Sequence, residues 1–188
     1  VGALQQLQQR VILLAPTGRA AKVLSRYSHV SAYTIHKYIY RQKQLGEHTF
    51  TLNDNLHKHT LFIVDEASMI SGVRESSNFG SGMLLDDLVK YVYSGEGCSM
   101  LLLGDDAQLP PVGSIVSPAL SADYISGYGL AVIEHTLTEV ARQALDSGIL
   151  QNANTLRPFA LGEKQAEGDL KEILWDKLKF SEDVATVS

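Results

Sequence analysis

Cysteine is almost absent from the chain: Cys98 stands alone among 188 residues, which excludes an intrachain disulfide and suits a reducing cytoplasm. Long hydrophobic runs are missing as well. The longest apolar stretches are four or five residues, far below the roughly 20 of a membrane-spanning helix. Nothing reads as a secretory signal. The expectation is a cytoplasmic protein with no membrane partner. Acidic residues are absent from positions 1–46, which carry Arg10, Arg19, Lys22, Arg26, Lys37, Arg41 and Lys43. The remainder sets nine Lys or Arg against twenty-one Asp or Glu. Such a basic block inside a protein of net charge −5 is a candidate polyanion contact, with a solvated helical face as the plainer alternative.

What is present is an alternation of short apolar runs and helical patterns. Val11-Ile12-Leu13-Leu14-Ala15, Leu61-Phe62-Ile63-Val64 and Ser99-Met100-Leu101-Leu102-Leu103 read as strands buried on both faces. Helical spacing runs from Arg19, and again from Met83 to Tyr93, where Ser94-Gly95-Glu96-Gly97 ends it. The alternation predicts an α/β fold built on a parallel sheet with flanking helices. Val1 to Gln9 reads as the later turns of a helix, with Val1, Leu4 and Leu7 on one side, so the expectation is a fragment whose upstream residues are missing. Residues 42–60 predict an exposed loop or hairpin. His48, His57 and His59 lie in or beside it without the partners of a zinc site. Residues 71–82, rich in Ser, Gly and Asn, predict a mobile loop.

Chemistry concentrates where the strands end. In parallel α/β sheets ligands sit beyond the carboxyl ends of the strands, and there the second run delivers Asp65-Glu66-Ala67-Ser68. An adjacent carboxylate pair can divide labour in nucleoside triphosphate hydrolysis, Asp65 holding Mg²⁺ directly or through water and Glu66 polarising the attacking water. The pair could equally cap the next helix, since acids favour a helix N-terminus. The first run ends in Pro16-Thr17-Gly18-Arg19, where Thr17 is a cap and the backbone N–H groups can face phosphate. Tyr27, Tyr33, Tyr38 and Tyr40 stand among Arg26, Lys37 and Arg41, a pattern that can stack bases of a single strand, although at least two of the four are expected in the core. The third run leads into Gly104-Asp105-Asp106-Ala107-Gln108-Leu109-Pro110-Pro111-Val112-Gly113, where the prolines restrict the loop and Gln108 could sense a γ-phosphate. Later, residues 135–140 could be a further strand and 146–157 a helix. Arg142 is a candidate arginine finger, with a surface ion pair as the plainer alternative.

Together these segments, with Thr34-Ile35-His36-Lys37 and Arg142-Gln143, resemble superfamily 1 DNA helicases, most closely the RecD-like group that includes the exodeoxyribonuclease V α subunit. The motifs occur in the family's order over roughly residues 1–157. The resemblance implies a RecA-like P-loop NTPase fold, with the first motor domain at 1–140 and the junction and start of a second at 141–188. It implies ATP and Mg²⁺ as cofactors, handled by Asp65, Glu66, Gln108 and Arg142. Single-stranded DNA would lie along Pro16, Thr17, Arg19, Thr34, His36 and Lys37, with duplex junctions and the subunits of a nuclease or helicase complex as further partners. One departure stands out. The family's phosphate loop G-x-x-x-x-G-K-[ST] is missing and the chain holds no Gly-Lys dipeptide, which predicts that these residues alone hydrolyse ATP poorly. The function expected of the intact protein is ATP-driven translocation and unwinding in recombination or repair. A non-motor ATPase switch and a DNA-binding module without catalysis are the competing readings.

Overall fold

A computed structural model of the chain describes residues 1–42, 49–74, 78–108, 111, 116–137 and 153–157. The chain divides into two compact units, Val1–Ile133 and Glu134–Ser188. In the first unit the helices are α1 (Gly2–Gln6), α2 (Gly18–Ser28), α3 (Ile35–Ile39), α4 (Leu84–Tyr93) and α5 (Ala122–Ser126). The strands are β1 (Arg10–Ala15), β2 (Ala32–Thr34), β3 (Tyr40–Gln42), β4 (Phe50–Leu52), β5 (Thr60–Val64) and β6 (Ser99–Leu102). Two short 3-10 turns, Ala67–Met69 and Pro118–Leu120, lie against each other.

Four strands form one parallel sheet in the order β2-β1-β5-β6, and β3 pairs antiparallel with β4 as a separate hairpin. Parallel neighbours require crossovers, which α2 supplies between β1 and β2 and α4 supplies between β5 and β6. The core lies where α3 and α4 meet the sheet: Leu14, Ile35, Ile39, Phe62, Val64 and Leu88 are buried together. On α4 the buried Leu85, Leu88, Val89 and Val92 follow the i, i+3, i+4, i+7 spacing of a single helical face. Each such side chain taken out of water contributes about 1.5–3 kcal/mol.

The parallel α/β fold matches the expectation from the sequence. Three local differences follow from tertiary context. β6 is a half-exposed strand on the border of the described sheet, with Leu101, and Leu103 just after it, each 41% exposed, because an apolar run alone does not tell a central strand from a bordering one. α1 spans only Gly2–Gln6, and Leu7 is 76% exposed rather than on an inward face. Residues 131–137 are exposed without regular structure, so the described part of the 135–140 segment is not a strand. In the second unit, residues 153–157 are helical, within the helix expected at 146–157.

Candidate functional site

All four strands of the parallel sheet point the same way, so their carboxyl ends share one edge. In register, Ala15 pairs with Thr34, Leu14 with Val64, and Val64 with Leu102. Extending that register, Thr34, Ala15, Asp65 and Leu103 stand in one row across the sheet, with Thr17 two residues beyond Ala15 and Gly104 next after Leu103. At about 4.8 Å between strands, that row is roughly 15 Å long.

The carboxylate turn is held from both sides. Asp65 N donates to Leu14 O at 3.0 Å, and Ala67 N donates to Leu103 O at 2.8 Å, tying the turn to β1 and to the end of β6. Asp65 Oδ1 accepts from Glu66 N at 3.0 Å, which leaves its second oxygen to other partners. Glu66 takes a left-handed conformation, φ 55° and ψ 36°, at the start of the Ala67–Met69 turn, and its side chain makes no cap hydrogen bond. The Glu66 side chain therefore does not cap the turn, while Asp65 Oδ1 holds the N–H of Glu66 at its start.

Behind Glu66 the packing is tight. Ala67 and Ser68 are buried, and a Cβ at Gly104 would lie 2.9 Å from Ser68 N and 2.8 Å from Leu120 Cδ1. Gly104 does not have a positive φ, so glycine is needed there for close approach and not for the sharp turn that the sequence suggested. Ser68 Oγ is buried without a hydrogen-bond partner. From Gly104 the chain enters a turn in which Ala107 N donates to Asp105 Oδ1 and Gln108 N to Asp105 O, each at 3.1 Å. Gln108 is exposed, four residues beyond Gly104 in the loop that follows β6. Pro111 is buried, whereas Leu109, Pro110 and 112–115 lie outside the described residues.

On the β1–β2 side the two threonines act as N-caps. Thr17 Oγ1 accepts from Ala20 N at 3.2 Å and Thr34 Oγ1 accepts from Lys37 N at 3.3 Å. A hydroxyl that caps through a lone pair keeps its O–H to donate, so capping and a phosphate contact are compatible. Gly18, Arg19, Lys22 and Lys37 are exposed, Pro16 is half-buried, and the first turn of α2 holds no acid. His36 is half-buried against Tyr40 and Phe79, with ring centroids 5.8 and 5.1 Å away. Tyr40 is buried, and Tyr38 packs on Phe62 and Tyr91. Tyr27 and Tyr33 remain exposed, so the four tyrosines divide into two packing and two surface residues.

Burial pushes the phenol of Tyr38 up and that of Tyr91 up to about 12, so both stay neutral and neither serves as a base. Tyr38 OH instead meets His57 Nε2 at 2.9 Å, which engages one of the three histidines in a structural contact. His48 and Arg142 lie outside the described residues. Among the described residues no group of three or more His, Cys, Asp or Glu could hold a metal ion. Mg²⁺ commonly takes only one or two protein carboxylates plus phosphate and water, so the single open oxygen of Asp65 fits that ion. Composition does not pick out Phe79, which joins His36 to the β3–β4 hairpin; the available signal was one aromatic ring within a Ser/Gly/Asn-rich stretch.

Comparison with known proteins agrees with this architecture. The chain is 32% identical over 168 residues to a protein of Deinococcus radiodurans described as ATP-dependent RecD2 DNA helicase. The match covers 88% of this chain and 20% of that protein, so the chain spans about a fifth of the relative's length. A family model described as AAA domain matches residues 1–172, nearly the whole chain and every strand of the sheet, and the chain accordingly belongs to the AAA domain family.

Proposed function

We propose that the chain is the nucleotide-hydrolysing part of the first motor domain of an ATP-dependent DNA helicase, with residues past Ile133 leading toward a second. The observation that carries this reading is the row of strand ends. Asp65 and Glu66 stand at its centre, the Gln108 loop on one side, and the capped threonines with Arg19 and Lys37 on the other. A hydrolytic pair and a polyanion contact on one edge of one sheet are what coupling between nucleotide and nucleic acid requires. The name of the Deinococcus relative supports the same reading.

In this mechanism Asp65 would hold Mg²⁺, which when bound would supply charge neutralisation to the phosphates of ATP. Glu66 accepts a proton from the attacking water and orients it in line with the γ-phosphorus. The Gln108 amide accepts from that water or donates to a γ-phosphate oxygen, so that the loop after β6 reports whether the phosphate is present. Arg142 would meet the developing charge from the motor-domain junction. Thr17, Arg19, Thr34, His36 and Lys37 line single-stranded DNA. Steps of cleft closure and opening then become steps along the strand, with 5′ to 3′ movement and a role in recombination or repair as the finer proposal.

The test is Glu66→Gln in the full-length protein that carries this chain. Nucleotide binding is expected to persist, with hydrolysis reduced at least about a hundredfold, the scale of a lost general base. Turnover at the wild-type rate would remove Glu66 from its role. ATPase activity without strand displacement or translocation would favour a non-motor switch.

A further inference from the structure

Residues 71–82 have no part in the mechanism above, yet their second half is fastened to the domain on several sides. Phe50 N donates to Asn78 O and Gly80 N donates to Phe50 O, both at 2.8 Å, so that Phe79 runs beside β4 in a parallel bridge. The Phe79 ring stacks on Phe50 at 4.4 Å and 17°, lies 5.4 Å from Tyr40, and meets His36 edge-on at 5.1 Å and 78°. Asp87 Oδ2, on a carboxylate only 5% exposed, accepts from both Tyr40 OH at 2.7 Å and Ser81 N at 2.9 Å. Gly80 has φ +49°, and a Cβ there would lie 2.0 Å from Asp87 Oδ2 and 2.6 Å from Tyr40 Cε1. Side-chain size, backbone hydrogen bonds and a buried carboxylate thus fix residues 78–81, and Gly82 N donates back to Phe79 O at 2.9 Å.

The element at the receiving end is α3, five residues long, which is too short to hold its own geometry without tertiary contacts. Its Thr34 cap is the last residue of β2, at the edge where the strands end, Lys37 is exposed, and the His36 ring packs against both Tyr40 and Phe79. We propose that residues 78–82 form a bracket and that Phe79 is a positioning residue: by holding His36 from the side it sets where Lys37 and Thr34 present their donors, and so sets affinity for single-stranded DNA without touching it. The inference rests on the reading of Thr34 to Lys37 as a DNA contact.

The experiment uses the full-length protein and oligo(dT). ATP turnover is measured without DNA, and the oligo(dT) concentration giving half-maximal stimulation is measured beside it. Phe79→Leu keeps apolar bulk but removes the ring edge. It is expected to raise the half-saturating concentration about threefold to tenfold, the range of an aromatic contact, with DNA-free turnover and KM for ATP unchanged. Phe79→Tyr, which keeps the ring, is expected to behave as wild type. An unchanged half-saturating concentration in folded Phe79→Leu would overturn the bracket. So would a fall in DNA-free turnover that accompanies the DNA effect in proportion. If Phe79→Leu does not fold, Phe50→Leu loosens the same stack from the far side and is expected to give a smaller shift in the same direction; no shift there overturns the inference. A wild-type protein that neither binds oligo(dT) nor responds to it would sink the DNA reading itself, which sets that failure apart from a failure of the bracket alone.

Discussion

Glu66 holds a backbone conformation that costs a residue with a Cβ about 1–2 kcal/mol. No side-chain cap of its own offsets this; the bond from Ala67 N to Leu103 O and the closure of Gly104 on Ser68 hold it there. Strain kept at a carboxylate in the middle of the strand-end row fits a group fixed for chemistry. Glu66→Gly is therefore expected to be more stable than Glu66→Ala by about 0.5–1 kcal/mol in urea unfolding, while both lose hydrolysis. Equal stability of the two would mean that the turn relaxes freely and is not held from outside. The carboxylate pair was legible in the sequence because residue type and position after an apolar run suffice to find it. Its left-handed turn was not, since glutamate has no preference for that region and the contacts that impose it come from β6 and from residues about forty positions away. Gly104 was legible as an unusual residue for a reason that the packing replaces: close approach instead of backbone freedom.

Among the elements, α2 and α3 share a device, a threonine at the end of a parallel strand whose hydroxyl caps the helix that follows. For α2 the cap was readable, because Pro16-Thr17-Gly18 before a helical run is a local signal. Thr17→Ala is expected to lower stability by about 1 kcal/mol, and Thr17→Ser to retain most of it, as read by thermal unfolding. Should Thr17→Ala unfold at the wild-type temperature, the cap would be without energetic weight. β1, β5 and α4 were legible because periodicity and burial coincide in them. β6 was misjudged as fully buried because four apolar residues look the same in the centre of a sheet and on its border. The bracket at 78–82 was read as a mobile loop because Ser, Gly and Asn favour turns; what fixes it is long-range, from Phe50, Tyr40 and Asp87.

At the scale of the whole molecule, tyrosines packed to different depths, with Tyr91 buried, Tyr38 and Tyr128 half-buried and Tyr93 more exposed, tie the stability of the Val1–Ile133 unit to pH. Burial is the first cause raising the phenols of Tyr38, Tyr91, Tyr93 and Tyr128 above the ordinary 10.0, and Tyr91 reaches about 12 with further repulsion from Tyr38 and Cys98. The unfolded chain releases these protons near pH 10 while the folded domain still holds them. Over the interval from 10 to about 12 set by Tyr91, the native state therefore binds more protons than the unfolded state, and stability must fall as pH rises. The contribution is complete below pH 10 and is lost progressively above it. Because Tyr38 sits on α3, Tyr91 and Tyr93 on α4 and Tyr128 after α5, the loss falls on the packing between elements and not on one helix. The urea midpoint is expected to stay level up to about pH 9 and to decline steadily above about pH 10. Tyr91→Phe, which keeps the ring on Phe62 and Tyr38 but has no proton to lose, should shallow that decline. A midpoint that held its level through pH 11, or a Tyr91→Phe variant declining as steeply as wild type, would show that the phenols are not what limits the domain in alkali.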